Sequence, residues 1–169
     1  PNGASARLWG DFNDIEIELL NSPARPIVLA RKTERCRGAF VHVADDLNGI
    51  GLMTAYTPVH LLLFHALAGL PSDPRWLDAA SEDALVMTSA NPSGEPLVIH
   101  TKEACERLNG IADAILTHDR EIVCRCDDSV VRVVDGAARL VRRARGYTPL
   151  AVKTHCDMTG IAATGASLK

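Results

Sequence analysis

In SVVRVVDGAARLVRRARG, residues 129–146, strand-forming residues lie on both sides of one turn signal. The stretch holds two short apolar runs, SVVRVV and ARLVRRA, separated by Asp135-Gly136. An Asp-Gly pair supplies the positive-φ backbone that a tight hairpin turn needs, so the pattern predicts two antiparallel strands.

Working outward, further strand candidates precede the hairpin. PIVLAR (26–31) is short, apolar and bounded by proline, and FVHVA with its flank (39–44) and GIGLM (49–53) alternate or run apolar as strands do. ALVMT (84–88) reads as a buried strand, and ADAILTHD (112–119) as another before the hairpin. Helical signals alternate with these. IEIELL (15–20) predicts a turn or two of helix ending at Asn21. In YTPVHLLLFHALAGLPSD (56–73), Thr57 is a cap, Pro58 suits the first helical position, and Gly69 with Pro71 marks the stop. KEACERLNG (102–110) is a helix that Gly110 would end. RKTERCRG (31–38) reads as a charged turn, and PNGASARLWGDFND (1–14) as loop or the cut edge of something longer. Strands and helices alternate without a strict βαβ rhythm, which gives a mixed α/β (α+β) domain around a twisted sheet.

Composition narrows the function classes. A chain of 169 residues, 47% apolar, fits one compact domain, or one domain plus a tail, with enough apolar surface for a core. The net charge of −3 and a pI near 6.1 argue against a surface built to neutralise a nucleic-acid backbone. The longest apolar run, Val59 to Leu70, contains two histidines and is too short to span a bilayer. The start has neither the charged region nor the apolar run of a secretory signal. The expectation is a soluble, cytoplasmic protein with neither nucleic acid nor membrane as partner. Five cysteines, at 36, 105, 124, 126 and 156, form no CxxC pair and suit reduced thiols. Cys124 and Cys126 would share a face of an extended strand, but no further zinc ligands lie at plausible spacing. His60 and His65 are five apart, so a helix does not stack them as a ligand pair.

Three constellations could carry chemistry. TSANPSGEP (88–96) places Thr88, Ser89, Asn91, Ser93 and Gly94 at the end of the expected strand, where open α/β sheets bind ligands. Hydroxyls, an amide and freed backbone N–H groups there can wrap phosphate oxygens or hold hydrated magnesium, and they are equally what a capped turn is made of. Arg132, Arg139, Arg142, Arg143 and Arg145 face a single acid, Asp135, in RVVDGAARLVRRARG. If strand geometry continued, Arg143 and Arg145 would share a face. Guanidinium forks suit phosphate, and charge on an edge strand also blocks aggregation. In HDREIVCRCDDSV (118–130), Asp127 and Asp128 would point to opposite strand faces. That suits one magnesium ligand or a turn cap better than an acid–base pair, while Ser129 could reach a phosphate.

Taken in order, RPIVLARK, GIGLMTAYTPVHLLL, TSANPSGEP, HDREIVCRCDDSV and RRARGYTP resemble the YrdC-like domain of HypF-type hydrogenase maturation carbamoyltransferases, from about residue 22 to 150. The resemblance implies a twisted mixed sheet with flanking helices and a concave nucleotide-binding face. It also implies ATP-dependent formation of carbamoyl adenylate, with ATP and Mg2+ required. The carbamate comes from carbamoyl phosphate, and a HypE-type protein accepts the carbamoyl group. Carried over by position, Thr88, Ser89, Asn91, Ser129 and Arg143 would bind ATP, and Tyr56, Thr57 and His60 would lie on the small-substrate side. No residue is assigned a covalent catalytic role; Ser89 and Asn91 would hold the metal together with the ATP phosphates, with Thr88 in support. The family's basic motif and KP segment have no match in residues 1–21, so a truncated or degenerate domain start is expected there. Residues 151–169 are expected to be a linker and the first strand of a carbamoyl-transfer domain. Two other readings share parts of this pattern: a threonylcarbamoyl-AMP synthase for tRNA modification, and a non-catalytic nucleotide-binding remnant.

Overall fold

The structure, a computed structural model, describes residues 1–151 and Gly160. The expected linker and strand at 151–169 lie almost wholly outside the described residues. The chain divides into two units: Pro1–Ala84 with the chain from Asp128 onward, and Leu85–Asp127.

In the first unit an open mixed sheet is built on β2 (Ile27–Lys32). It pairs antiparallel with β1 (Gly10–Asp11) and β3 (Gly49–Leu52), and parallel with β4 (Val130–Val134). β5 (Ala137–Arg142) returns antiparallel on β4 through the Asp135-Gly136 turn, with both turn residues at positive φ. Val28, Ala30 and Lys32 alternate with more exposed neighbours and turn one face of β2 inward. Against it pack Ala6 of α1 (Gly3–Trp9), Phe12, and Leu20 of α2 (Asp14–Asn21). A second cluster joins Trp9, Ile50 and Cys36 of α3 (Glu34–Ala39).

Local chemistry explains why the helices start where they do. Asn2 caps α1 through the Ser5 amide, and Asn13 with Glu16 forms a reciprocal capping box on α2. Thr57 caps α4 (Pro58–Leu67) through the His60 amide, with Pro58 in the first turn as the sequence predicts. Burying Lys32 is made tolerable by two carbonyls: its Nζ donates to Val43 at 2.9 Å and Ala44 at 2.6 Å.

Several expectations need correcting. The stretch 1–14 is not a loop but carries α1 and β1, because Asn2 provides a cap that a search for long apolar periods passes over. RKTERCRG contains the end of β2 and most of α3, which Thr33 caps. FVHVA is not a strand: it ends α3 and continues as turns, with His42 and Ala44 at positive φ, a backbone that strands do not adopt. ALVMT and ADAILTHD form no strand, and Val86 and Met87 are exposed. Apolar composition alone does not make a strand without a ladder partner.

The second unit holds α5 (Thr101–Arg107) and otherwise turns and extended segments. Arg107 pairs with Glu103 on its own helix and with Glu95 from the preceding loop. Cys105, Cys124 and Cys126 are exposed free thiols.

Candidate functional site

In the first unit the DDSV, RRARG and AYTPVH segments meet at one node. Arg145 Nε donates to Asp128 Oδ1 at 2.7 Å. Its Nη1 and Nη2 donate to the carbonyls of Ala24 at 3.0 Å and Arg25 at 2.7 Å. The guanidinium lies 3.6 Å from the centroid of the Tyr56 ring, a cation–π contact. Tyr56 in turn meets the His60 ring edge to face, with centroids 4.7 Å apart and planes at 89°.

Backbone contacts lock this node. The Ser129 side chain is fully buried, and its hydroxyl donates to the Arg145 carbonyl at 2.9 Å and accepts from the Ala144 amide at 2.7 Å. Arg142 Nε donates to the Asp128 carbonyl at 2.7 Å. Gly146, at φ +85, lies so close to Ala24 that a Cβ there would sit 2.7 Å from that residue's Cα and carbonyl oxygen.

Among the expected site residues, Tyr56, Thr57, His60, Ser129 and Arg143 all belong to this unit. Thr57 uses its hydroxyl to cap α4, accepting from the His60 amide at 3.2 Å. Arg143 lies past the end of β5, exposed, and donates through Nη2 to the carbonyls of Tyr147, at 2.8 Å, and Leu150. It therefore does not share a strand face with Arg145: β5 stops at Arg142, and the two side chains serve different partners. A cleft of about 730 Å³ in the same unit is lined by Phe12, Leu29, Arg31, Ile50 and Arg132, and by none of the expected residues.

Burial at the node shifts two titrations. The His60 ring is held below the usual histidine range, mainly by desolvation; Asp128 opposes this and Arg145 adds to it. Burial first, and then the Asp128 charge, pushes the Tyr56 phenol up from its ordinary value, with Arg145 opposing. Both shifts favour the uncharged forms near neutral pH, a phenol and a neutral imidazole.

Thr88, Ser89 and Asn91 belong to the second unit, where the first two are exposed. The Asn91 amide Nδ2 donates to the carbonyls of Pro92 at 2.9 Å and Glu95 at 3.0 Å, closing the loop on itself. Gly94 permits the turn with φ +78. Asn91 Oδ1 is buried and has no hydrogen-bond partner among the described residues. An orphaned oxygen is an acceptor, suited to a cation or an N–H or O–H donor rather than to a phosphate oxygen.

Two residues were under-read in the sequence. Arg145 stood as one arginine among five, and Asp128 as a magnesium ligand or turn cap, whereas the two form a half-buried ion pair.

The open mixed sheet with flanking helices is the fold of Sua5/YciO/YrdC domains. That family's sequence profile, described as "Telomere recombination", matches residues 2–144, and the chain belongs to the family. Within it, the relatives are HypF proteins. The chain is 51% identical to "Carbamoyltransferase HypF2" of Cupriavidus necator over 99% of its own length and 21% of the relative's. To "Carbamoyltransferase HypF" of Rhizobium leguminosarum bv. viciae it is 49% identical, over 98% and 21%. It also matches a crystal structure of full-length HypF in the phosphate- and nucleotide-bound form, with TM-score 0.67 and 37% identity over 85% of this chain and 20% of that one. The chain thus spans about a fifth of the length of the relatives it matches. The profile match starts at residue 2, earlier than the motif resemblance at about residue 22.

Proposed function

We propose that this chain is the ATP-handling part of a HypF-type carbamoyltransferase. In this reading carbamate, released from carbamoyl phosphate, attacks the α-phosphate of ATP through an oxygen. Carbamoyl adenylate forms and pyrophosphate leaves. The carbamoyl group is then passed to a HypE-type acceptor during nickel-iron hydrogenase maturation. The observation that carries the reading is the 51% identity to HypF2 across nearly the whole chain, supported by the fold match to a nucleotide-bound HypF. Residues 22–150 would form the nucleotide-binding domain and 151–169 a linker into a carbamoyl-transfer domain.

Such a displacement needs positioning and charge neutralisation more than a covalent nucleophile. Thr88 and Ser89 would offer hydroxyls to phosphate, and Arg143 a guanidinium from an exposed position. Asn91 Oδ1 fits a role toward Mg2+ or a ligand donor, since its Nδ2 is already committed. Bound Mg2+ would neutralise phosphate charge. Ser129 would act through the backbone it fixes, because both hydrogen bonds of its buried hydroxyl are made within the chain. Tyr56, Thr57 and His60 would form the small-substrate side, with the neutral His60 able to accept a proton or a hydrogen bond.

The test is titration calorimetry of the chain with magnesium-ATP, wild type against Asn91→Ala. Binding by the wild type that the substitution weakens supports the reading. Failure of wild type to bind, or equal binding by both, counts against the TSAN loop as the nucleotide site.

A further inference from the structure

Arg145 makes most of its contacts inside the fold. Its fork engages one carboxylate and two backbone carbonyls, its planar face carries Tyr56, and its own carbonyl is held by Ser129. Three of its five N–H donors and one planar face are therefore committed within the fold, which sets Arg145 apart from an arginine that offers its whole fork to phosphate. Its contacts do something else. They tie the SPARP turn (22–26), DDSV and RRARG to one rigid point, and the exposed product of that point is the plane of the Tyr56 ring. Tyr56 then sets the edge-to-face geometry of His60, whose backbone amide is fixed independently by the Thr57 cap. Thus AYTPVH is held from two sides, by a helix cap below and by the Arg145 face beside it.

We propose that Arg145 is a positioning residue for the small-substrate side: it orients Tyr56, and through Tyr56 His60, without contacting nucleotide. The proposal rests on the functional reading above for what Tyr56 and His60 face, but the orientation itself is testable without it. Lysine at 145 keeps the charge for Asp128 yet has neither the fork nor the planar face, so Arg145→Lys isolates the property that matters.

The experiment has two readouts on wild type, Arg145→Lys and Tyr56→Leu. The first is the ring resonances of Tyr56 and His60 in tyrosine- and histidine-labelled chain, where only two tyrosines need assignment. The second, on the native full-length polypeptide, is carbamoyl-phosphate-dependent exchange between ATP and pyrophosphate. Arg145→Lys is expected to shift both sets of ring signals. Both variants should raise the KM for carbamoyl phosphate by roughly ten- to a hundredfold, with the KM for ATP changed less than about twofold. Unmoved Tyr56 and His60 signals in Arg145→Lys would overturn the proposal, as would an ATP KM that rises in step with that for carbamoyl phosphate. If Arg145→Lys does not fold, Tyr56→Leu decides: unmoved His60 ring signals together with an unchanged KM for carbamoyl phosphate in that variant would overturn the proposal. Absence of exchange activity in the wild type would sink the functional reading alone, while the ring signals still judge the orientation.

Discussion

Ser129 and Arg145 are joined by a buried hydroxyl that donates to the Arg145 carbonyl at 2.9 Å while accepting the neighbouring Ala144 amide at 2.7 Å. The hydroxyl thus replaces the ladder hydrogen bonds that end with β5 and binds the outgoing chain to the start of β4. The Ser129 carbonyl also accepts from the Ile27 amide at 2.8 Å, so one residue connects three segments. Removing the hydroxyl leaves a donor and an acceptor without partners. Ser129→Ala is expected to lower stability by about 1–3 kcal/mol. Urea unfolding measures it, and an unchanged midpoint would mean water or a backbone shift satisfies both groups.

The approach of Gly146 to Ala24 gives a second prediction with its own control. At φ +85 an L residue is strained by about 1–2 kcal/mol, and here a Cβ would also collide with backbone, which cannot rotate away. Gly136, in the hairpin turn at φ +71, has nothing within 4 Å of its Cβ position. Gly146→Ala should therefore lower the melting temperature clearly more than Gly136→Ala. Equal losses would show that only the backbone conformation, and not the contact with Ala24, matters at residue 146.

What could be read in advance followed from local chemistry. The hairpin was legible because Asp135-Gly136 satisfies a turn geometry that few pairs satisfy, and α4 because Thr57-Pro58 gives its start. ALVMT failed because being apolar does not distinguish a strand from an extended segment without a partner. α1 was missed because its buried side is made of Gly3, Ser5 and Ala6, which leave no hydrophobic period, with Trp9 the one large residue. At the site, two of the expected hydroxyls have partners inside the fold. Ser129 and Thr57 have hydroxyls that the sequence offers to a ligand and the fold uses for itself. The Ser129 partners, Ala144 and Arg145, lie 15 and 16 residues away, and spacing along one segment does not encode them, whereas the Thr57 cap was legible in Thr57-Pro58 itself.

Lys32 supplies a prediction far from the node. Its ammonium is buried, its hydrogen-bond partners are neutral carbonyls, and those carbonyls belong to the turn where Ala44 has positive φ. The charge therefore holds a strained loop in place. Lys32→Met keeps the aliphatic packing and removes the donors, so a loss of about 1.5–3 kcal/mol is expected. Hydrogen exchange at residues 42–47 should rise more than exchange in β2. A uniform rise would instead mean that the lysine supports the sheet and not the turn.

His60 makes the node sensitive to pH in a definite direction. Its folded-state affinity for a proton is lowered, first by burial and then by Arg145, with Asp128 only partly offsetting this. Between the depressed folded value and the ordinary histidine value, the unfolded chain binds more protons than the folded one. Stability contributed by the neutral ring is therefore complete above the ordinary value. It declines as pH falls below that value, and levels off once the folded ring is also protonated. The expected result is a urea midpoint that falls between about pH 7.5 and about pH 5 in wild type and falls less in His60→Gln. Because His60 touches Tyr56, protonation should also disturb the edge-to-face pair, so the Tyr56 ring signals should titrate with the same midpoint as His60. Parallel stability curves for wild type and His60→Gln would place the pH response elsewhere. Tyr56 signals that ignore the His60 titration would show that the two rings are neighbours without being coupled.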